Sequence, residues 1–295
     1  MSYILLTPIK DEARNLLPLK ETIINQSILP LVWVIVDSGS TDNSFQISKS
    51  IFSEYSWIHV IKQNKFFEHG YSHLNFAQAI NEGYAYGEKI CLSNNQSFNF
   101  VGKTDATPLL SKNYFEVLLS FMLSESNLAI CCGTQTICYK TKQIKIKSIS
   151  NISMTGYNDI RLYNRKFFQN VGGYPLTPSP DAVILIKAIN ERWATKIIHE
   201  AHFIKPRLGG SKIGIWKGNV LKGKNLYVLG YNPVLFLISS MCTTLSVPPY
   251  YQLFPMFEGF IISALKKEEK INDRDILNYF GKQRIVDLIK NIAKI

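Results

Sequence analysis

The stretch VWVIVDSGSTDNS, residues 32–44, decides the fold class. Its first five residues are apolar and run without interruption up to Asp37, which is typical of a strand buried on both faces. Gly39 then provides a tight turn, and the polar residues that follow are those that commonly begin a helix. A buried strand that leads through a short turn into a helix is the repeating unit of α/β proteins. We therefore predict an α/β fold.

The same alternation recurs along the first two thirds of the chain. Strands are predicted at residues 3–7, 32–37, 58–62, 99–103 and 128–137, and helices at residues 13–26, 43–54, 74–86 and 112–122. This order predicts right-handed crossovers and a Rossmann-like, mostly parallel sheet flanked by helices. Functional sites on such sheets lie beyond the carboxyl ends of the strands. Those ends carry Thr7-Pro8, Asp37-Ser38-Gly39 and Thr104-Asp105.

The composition limits the classes of partner. The 295 residues carry a net charge of +11, so the surface attracts anions such as nucleic acid, anionic lipid or a phosphorylated substrate. The 33 lysines and arginines are spread along the chain and form no recognised nucleic-acid motif, so we expect no nucleic-acid partner. The five cysteines fit no disulfide framework, and the N-terminal residues run straight into a strand pattern, so we expect no secretory signal. A cytoplasmic location is therefore expected.

Two common phosphate-binding patterns are missing. No glycine precedes Gly39, so the first strand is not followed by GxGxxG, and GxxxxGK[ST] occurs nowhere in the chain. Both patterns depend on glycines that open the backbone amides to phosphate. The strand ends carry acidic residues instead. Asp37 is placed to accept a hydrogen bond from a nucleobase N–H, or, alternatively, Asp37 and Asp42 serve only the turn and the helix cap.

The character of the chain changes after about residue 206. No charged residue lies between Lys224 and Glu258, but prolines at 233, 248 and 249 interrupt the apolar runs. A membrane-spanning helix needs about 20 consecutive apolar residues, so a clean span is not expected. We predict a helical extension at residues 206–295, following a catalytic domain at residues 1–205. Residues 225–265 either pack on that domain or lie on the inner face of a membrane, and both interpretations remain open.

Five segments, in collinear order over residues 1–205, resemble the family 2 glycosyltransferases. They are TPIKDEARNL (residues 7–16), VDSGSTDNS (36–44), FEHGYSHLN (67–75), VGKTDAT through Tyr114-Phe115 (101–115) and RLYNRKFFQNVGG (161–173). Asp181, followed by Trp193, falls where the family has its catalytic aspartate and a Gly-Trp pair. Each segment alone is a weak signal, whereas the ordered set is specific. The resemblance implies a GT-A fold and an inverting mechanism.

The resemblance also implies a role for individual residues. Thr7, Pro8, Glu12, Asp37 and Gly39 would line the nucleoside pocket, with Asp37 facing the base. Lys103 and Asp105 would lie on the ribose and diphosphate side, where the first aspartate of an Asp-x-Asp motif helps to hold a divalent metal. Asp181 would be the general base that takes a proton from the acceptor hydroxyl.

Two departures from the family pattern bear on the metal. Thr107 replaces the second aspartate of Asp-x-Asp, and a hydroxyl is a poorer ligand than a carboxylate for Mg²⁺ or Mn²⁺. The segment AHFIKPR, residues 201–207, offers either a histidine or basic residues where the family often has a metal-binding histidine. Either Asp105 and His202 bind a metal weakly, or Lys205 and Arg207 neutralise the diphosphate without one.

The sequence therefore predicts an inverting glycosyltransferase that passes a sugar from a nucleoside-diphosphate sugar to a saccharide or lipid-linked acceptor. Its expected setting is polysaccharide or glycolipid assembly for the cell envelope. Two alternatives remain: a GT-A-fold binding or scaffold protein that has lost turnover, for which Thr107 argues, and a nucleotidyltransferase that shares the nucleotide pocket.

Overall fold

The computed structural model describes residues 2–67, 72–139, 142–145, 160–206, 214–246 and 248–286. They fall into two compact units. The first unit lies within residues 1–135 and 155–206, and the second within residues 136–154 and 207–295. The division predicted after residue 205 stays a proposal, since the second unit also takes in residues from the middle of the chain.

The elements follow one another in the predicted alternation. The strands are β1 (Tyr3–Ile9), β2 (Val32–Asp37), β3 (Ile58–Lys62), β4 (Phe100–Lys103), β5 (Leu109–Leu110), β6 (Leu128–Tyr139), β7 (Lys142–Lys145), β8 (Arg161–Asn164) and β9 (Ala194–Lys205). The helices are α1 (Leu16–Ile24), α2 (Ser44–Phe52), α3 (Ser72–Ser93), α4 (Tyr114–Ser124), α5 (Arg165–Asn170), α6 (Pro180–Asn190), α7 (Ile215–Val228), α8 (Pro233–Ser246), α9 (Leu253–Leu265) and α10 (Arg274–Asn278). A short 3₁₀ turn, Ala13–Asn15, precedes α1.

The strands form one sheet in the order β3-β2-β1-β4-β8-β6-β9-β5, with β7 paired to the end of β6. The neighbours β3, β2, β1 and β4 are parallel, whereas β8 is antiparallel to both β4 and β6. The predicted α/β class is confirmed, and the parallel pairing is concentrated in this first half of the sheet. The carboxyl ends of its four parallel strands meet at one edge, which is where the acidic strand ends were expected to converge.

The core of the first unit lies on both faces of the central strands. Every residue of β1 and β2 is buried, as the continuous apolar runs predicted. Helix α3 covers one face at close range, because Gly83 has no side chain there. A Cβ atom at Gly83 would lie 2.9 Å from Cγ2 of Val36. The close approach of α3 fixes the helix over the strand that ends in Asp37.

The second unit contains the helices α7 to α10. Gly223 and Gly259 allow α7 and α9 to cross with their backbones nearly in contact, since a Cβ atom on either would lie 1.9 Å from a carbonyl oxygen of the other helix. Phe236, Met256 and Phe260 form a small buried cluster between α8 and α9. None of the helices in the described ranges combines the length and the apolar character that crossing a bilayer requires.

Candidate active site

Two loops at the carboxyl edge of the sheet are joined by hydrogen bonds. Asp11 has a positive φ of 50°, a conformation that aspartate tolerates better than most residues. Its Oδ1 accepts hydrogen bonds from the backbone N–H of Thr41 at 2.6 Å and from the Thr41 hydroxyl at 3.0 Å. The backbone N–H of Asp11 in turn donates to Oγ of Ser40 at 2.9 Å. These bonds tie the end of β1 to the turn that follows β2, and so position Asp37.

Asp37 ends β2 and is only 4% exposed. Its Oδ2 accepts a hydrogen bond from the backbone N–H of Ser40 at 3.3 Å. Its Oδ1 is buried and has no hydrogen-bond partner among the described residues. A buried carboxylate oxygen left without a donor is costly, so a polar group from outside the chain is expected to satisfy it. Of the two interpretations of Asp37, the ligand-binding one explains Oδ1, whereas the turn alone explains only Oδ2.

Gly39 and Phe66 lie at the turn that follows Asp37. Gly39 has a φ of +72°, which favours glycine, and a Cβ there would come within 3.3 Å of the Phe66 ring. The ring of Phe66 is itself about half exposed. An exposed aromatic face against a glycine turn is a surface on which a nucleobase can stack.

Two buried cations stand side by side on neighbouring strands. Lys103 of β4 and Arg161 of β8 are register partners, and each side chain is 1% exposed. The Nζ of Lys103 lies 3.3 Å from Oδ1 of Asp105 and 3.5 Å from Oδ1 of Asp181. Buried charges persist in proteins when they are paired, so this pair of cations holds the two carboxylates in place.

Asp181 lies in the first turn of α6, where the helix dipole favours a negative charge. Arg161 contacts it twice: Nη1 donates to the Asp181 carbonyl oxygen at 2.9 Å, and Nη2 lies 3.1 Å from Oδ1. The hydroxyl of Tyr174 donates to the same Oδ1 at 2.5 Å. The hydrogen bonds and closest ion-pair approaches that described side chains make to the carboxylate end on Oδ1. The Asp181 side chain is 29% exposed, so a ligand can reach it.

The pKa values follow from this arrangement. Burial alone would raise the pKa of Asp181, but the charges of Lys103 and Arg161, with the hydrogen bond from Tyr174, hold it well below its usual range. Burial alone would lower the pKa of Lys103, but Asp105 and Asp181 raise it overall. Asp181 is therefore an ionised carboxylate at neutral pH, and Lys103 an ammonium.

Tyr174 is positioned by a glycine turn. Gly173 has a φ of +86°, and a Cβ there would lie 2.7 Å from Oδ1 of Asn81. Because Gly173 has no Cβ, Asn81 of α3 can approach the backbone of Tyr174. The Asn81 side chain accepts a hydrogen bond from the Tyr174 N–H at 2.7 Å and donates one to the Tyr174 carbonyl at 2.8 Å. The two glycines that end the segment at residues 161–173 therefore aim the tyrosine hydroxyl at Asp181.

Three further predicted residues of the nucleoside pocket occupy β1 and the turn after it. Thr7 is fully buried, and its hydroxyl accepts a hydrogen bond from Nε1 of Trp33 at 2.9 Å. Pro8 is buried in the strand. The backbone N–H of Glu12 donates to Oγ of Ser44 at 2.7 Å, and its carboxylate accepts from Asn15. These contacts support the edge of the sheet, and direct contact of the three residues with a ligand stays a prediction.

The residues predicted to bind a metal are not gathered into a metal site. In the part of the chain that the structure describes, no three His, Cys, Asp or Glu side chains are close enough to hold a metal ion together. Asp105 faces the ammonium of Lys103, and Nδ1 of His202 lies 2.6 Å from the hydroxyl of Thr134. With a threonine at 107, the chain offers one carboxylate at this position. These residues do not fit a divalent cation held by the protein alone.

The structure describes one of the two basic residues predicted as the metal-free alternative. Lys205 ends β9, and Arg207 lies outside the described residues. The cations that the structure does place beside the carboxylates are Lys103, which was predicted on the diphosphate side, and Arg161, which was not predicted.

The sequence reasoning missed four residues around the acidic pair. Arg161 and Tyr174 bond Asp181 directly, the Phe76 ring lies 4.8 Å from the Lys103 ammonium, and the charge of Asp181 acts on His73. Burial lowers the pKa of His73, and Asp181 partly offsets this effect. A charged residue that opens the apolar run at residues 161–163 was the available signal for Arg161. His73 lies in the segment at residues 67–75 that carries the family resemblance, whereas no local pattern distinguished Tyr174 or Phe76.

An open surface cleft of about 440 Å³ lies elsewhere, between α1 and β5. Its lining includes Leu17, Glu21, Thr22 and Leu110, and none of the predicted site residues. Its polar lining residues are exposed or half-buried, unlike the buried ion pairs at the carboxyl edge of the sheet; they are Glu21, Thr22, Asn25 and Lys112. We assign this cleft no function.

Comparison with solved structures decides the fold type. A mannosyltransferase from Pyrobaculum calidifontis, PcManGT, in complex with GDP-Man and Mn²⁺, matches 99% of this chain and 86% of its own, with a TM-score of 0.57 and 12% identity. The chain has the fold of the GT-A-type glycosyltransferases. TarS 1–349 of S. aureus shares this GT-A fold: its complex with UDP-GlcNAc matches 99% of this chain and 82% of its own, with a TM-score of 0.54 and 11% identity. No protein-family model and no curated protein matches the sequence.

Proposed function

We propose that this protein is an inverting glycosyltransferase of the family 2 type, which transfers a hexosyl or related sugar from a nucleoside-diphosphate sugar to an acceptor hydroxyl. One observation carries the proposal. Two partly exposed carboxylates, Asp105 and Asp181, are backed by two buried cations, Lys103 and Arg161, at the carboxyl edge of a GT-A sheet. The complexes of structural neighbours with GDP-Man and UDP-GlcNAc support the same class of donor.

The donor site that we propose runs along this edge. The nucleobase N–H meets Oδ1 of Asp37, and the base stacks against Phe66 beside Gly39. The ribose and diphosphate lie toward Asp105, two strands away, at about 10 Å by the usual strand spacing. Two carboxylates and two cations sum to zero charge, so an anionic diphosphate meets no net repulsion there.

Asp181 is the general base of the proposed reaction. Its Oδ2 accepts a hydrogen bond from the acceptor hydroxyl, whose oxygen attacks the anomeric carbon from the face opposite the diphosphate. The new carbon–oxygen bond forms as the bond to the phosphate oxygen breaks, and the nucleoside diphosphate leaves with that electron pair. The hydroxyl proton passes to Asp181, and the anomeric configuration is inverted.

The lowered pKa of Asp181 is compatible with this role. A carboxylate with a low pKa is a weak base toward a neutral hydroxyl, but an oxygen that is bonding to the anomeric carbon becomes strongly acidic. Proton transfer is then late, after most of the new bond has formed. Lys103, Arg161 and Tyr174 act as positioning residues, since they fix Oδ1 and leave Oδ2 to the acceptor.

In this proposal a divalent metal would bind only together with the diphosphate of the donor. Asp105 is one possible ligand, and the predicted contributions of His202, Lys205 and Arg207 remain proposals. When bound, Mg²⁺ or Mn²⁺ would neutralise the leaving diphosphate. Because Thr107 leaves Asp105 as the one carboxylate at the Asp-x-Asp position, we expect the protein to bind the donor without requiring a metal for the site itself.

The proposed acceptor is a saccharide or a lipid-linked saccharide of the cell envelope. Peripheral contact of residues 225–265 with the inner face of the membrane belongs to the same proposal.

A panel of sugar nucleotides tests donor binding. GDP-mannose, UDP-GlcNAc and UDP-glucose are each added to the full chain, and the melting temperature is followed with Mn²⁺ or with a chelator. A ligand at about 100 times its Kd stabilises by roughly 2.7 kcal/mol. We expect one of them to raise the melting temperature, and Asp37→Ala to abolish the rise. If no sugar nucleotide produces a shift in either condition, the proposed function is wrong. A shift that needs Mn²⁺ would overturn only the metal-independent part.

Transfer is tested with Asp181→Asn, since asparagine keeps the shape of the side chain and loses the base. We expect the donor-induced shift to remain and turnover, measured as release of nucleoside diphosphate, to fall by about 10²–10⁴-fold. Glu125→Gln removes an acid that pairs with Lys196 elsewhere in the first unit and should leave turnover unchanged. Donor binding without turnover in the wild type would favour the scaffold alternative. Release of pyrophosphate from a nucleoside triphosphate would favour the nucleotidyltransferase.

A further inference from the structure

The outward sides of α8 and α9 carry a row of large apolar side chains. On α8 they are Val234, Leu237, Ile238, Met241 and Leu245, and on α9 they are Phe254, Phe257, Ile261 and Leu265. Each is between 37% and 79% exposed. Their spacing of three, four and seven residues places each set on one side of its helix. We call these two stripes together the apolar face.

The apolar face is not the core side of these helices. The core side is separate and already filled, since Phe236 stacks on Phe260 with ring centroids 4.2 Å apart. The ring of Phe257 on the apolar face lies 6.4 Å from that of Phe236 on the core side. Large exposed apolar patches mark sites of interaction with a protein or a membrane.

We propose that the apolar face docks on the surface of an anionic lipid bilayer, with α8 and α9 lying in the plane of the membrane. Lipid docking makes the membrane contact of the proposed function specific, and it rests on that function only for its biological setting. The residues that support it all belong to the second unit.

The border of the face has the chemistry of a membrane interface. Trp216 and Tyr251 are exposed and stacked, with centroids 6.1 Å apart, and Tyr250 is exposed beside them. Tryptophan and tyrosine are enriched at the level of lipid headgroups, where one end of the ring is apolar and the other is hydrated. One carboxylate, Glu258, lies on the outward side of α9 and accepts a hydrogen bond from Nε1 of Trp216 at 2.9 Å.

Charge favours lipid over a second copy of the chain. The sequence of the second unit holds 17 Lys and Arg against 6 Asp and Glu, a net charge of +11. Exposed Lys266, Lys267 and Lys270 follow α9, with Glu268 and Glu269 between them. Lysines next to inserted apolar residues attract anionic headgroups, at about 1 kcal/mol each. Two copies of a unit this positive repel each other, which opposes association through the same face.

Vesicle flotation tests the proposal. The full chain is mixed with vesicles of phosphatidylcholine containing about 30% phosphatidylglycerol, an anionic fraction chosen to raise the surface potential, and with vesicles of phosphatidylcholine alone. We expect binding to the anionic vesicles, weaker binding to the neutral ones, and a decrease as salt rises. The double variant Leu237→Glu/Phe257→Glu should lose binding by about tenfold or more, because it places charge in the interface.

The control is Leu92→Glu, an exposed leucine on α3 in the first unit, which should bind vesicles as the wild type does. The donor-induced thermal shift should be unchanged in the double variant, so a failure of membrane docking is distinguishable from a failure of the transferase proposal. Wild-type protein that does not float with anionic vesicles overturns the inference. So does a dimer in light scattering that the double variant converts to a monomer without any vesicle binding.

Discussion

The two units of this protein depart from ordinary burial in opposite ways. The first unit buries charge: Lys103 and Arg161 are almost wholly inaccessible at the centre of a sheet. The second unit exposes apolar surface: Leu245 of α8 and Leu265 of α9 are more than three quarters exposed. Apolar residues inside and polar residues outside need no special explanation, whereas buried polar groups and large exposed apolar patches do.

The difference teaches where each unit meets its partner. In the first unit the buried cations hold two carboxylates whose side chains are 31% and 29% exposed, so the expected ligand is small and polar. In the second unit the exposed feature is the apolar face, and the expected partner is extended and apolar. Four changes test this contrast, beginning with the largest expected effect.

The largest effect is expected from Lys103→Met, which removes one of the two buried cations of the first unit. The change leaves Asp105 and Asp181 without the ammonium between them, while Arg161 still pairs with Asp181. Breaking a buried ion pair by removing one partner destabilises by about 3–5 kcal/mol. We expect a loss of that size in the free energy of unfolding, measured by urea denaturation. Lys196→Met removes an exposed lysine that pairs with Glu125, and should cost less than about 1 kcal/mol. If the two changes lowered the free energy of unfolding equally, the buried ion pairs of Lys103 would contribute no more to stability than the exposed pair of Lys196.

Gly259→Ala tests the packing that presents the apolar face. The added methyl group would meet the Val220 carbonyl at 1.9 Å, so α7 and α9 must move apart. We expect a loss of about 1–3 kcal/mol, typical of overpacking, and reduced vesicle binding. Trp216 is the one tryptophan in the sequence of the second unit, so its fluorescence can report on this unit. Ile261→Ala, on the exposed side of the same helix, should change stability little. A neutral Gly259→Ala variant would contradict the close crossing.

Lys222 belongs to the second unit, and burial shifts its pKa. It can therefore be compared with the buried cations of the first unit. Burial lowers its pKa to about 8. We expect Lys222→Met to stabilise the protein by about 1–2 kcal/mol at pH 7, after allowance for its partial exposure. The folded-state pKa lies below the unfolded-state value, so the penalty is full below pH 8 and is relieved as pH rises toward 10.5. The advantage of the variant should therefore shrink over that range. Lys217→Met, exposed on the same helix, is the matched control and should change stability by less than about 0.5 kcal/mol at pH 7.

The smallest expected effect is a change in the free energy of unfolding at acidic pH. The folded-state pKa of Asp181 is below its unfolded value, so its stabilisation is present above about pH 4 and is lost as pH falls toward the folded-state pKa. The stability difference between the wild type and Asp181→Asn should therefore shrink below pH 4, by at most about 1.4 kcal/mol per pH unit. Urea denaturation at pH 3, 4, 5 and 7 measures it. A difference that stays constant with pH would mean that Asp181 is not held ionised by its neighbours.

Much of the fold could be predicted from local patterns. The strands at 32–37 and 58–62 were predicted with the bounds that the structure shows, since uninterrupted apolar runs have few alternatives. Helix α3 was predicted as residues 74–86, but it extends from Ser72 to Ser93. Its packing on β1 and β2 supports the additional turns, and tertiary contacts of this kind override local propensity.

The candidate site could be predicted only in part. Asp37, Asp105 and Asp181 were chosen because strand ends of a parallel sheet share an edge, or because an ordered family resemblance pointed to them. Arg161 and Tyr174 follow Lys103 by 58 and 71 positions, and nothing in their own neighbourhoods marks them as its companions. Their role depends on the antiparallel pairing of β8 with β4 and on the turn at Gly173, which are non-local.

Side-chain periodicity and the order of turns determine that this chain forms an α/β domain with acidic strand ends and an uncharged helical segment, because these properties depend on residues a few positions apart. Tertiary structure alone decides that two cations are buried behind Asp105 and Asp181, and that the apolar residues of α8 and α9 face outward as well as inward. The reason is physical: burial and charge pairing depend on which surfaces meet in space, and residues distant in the chain supply those surfaces.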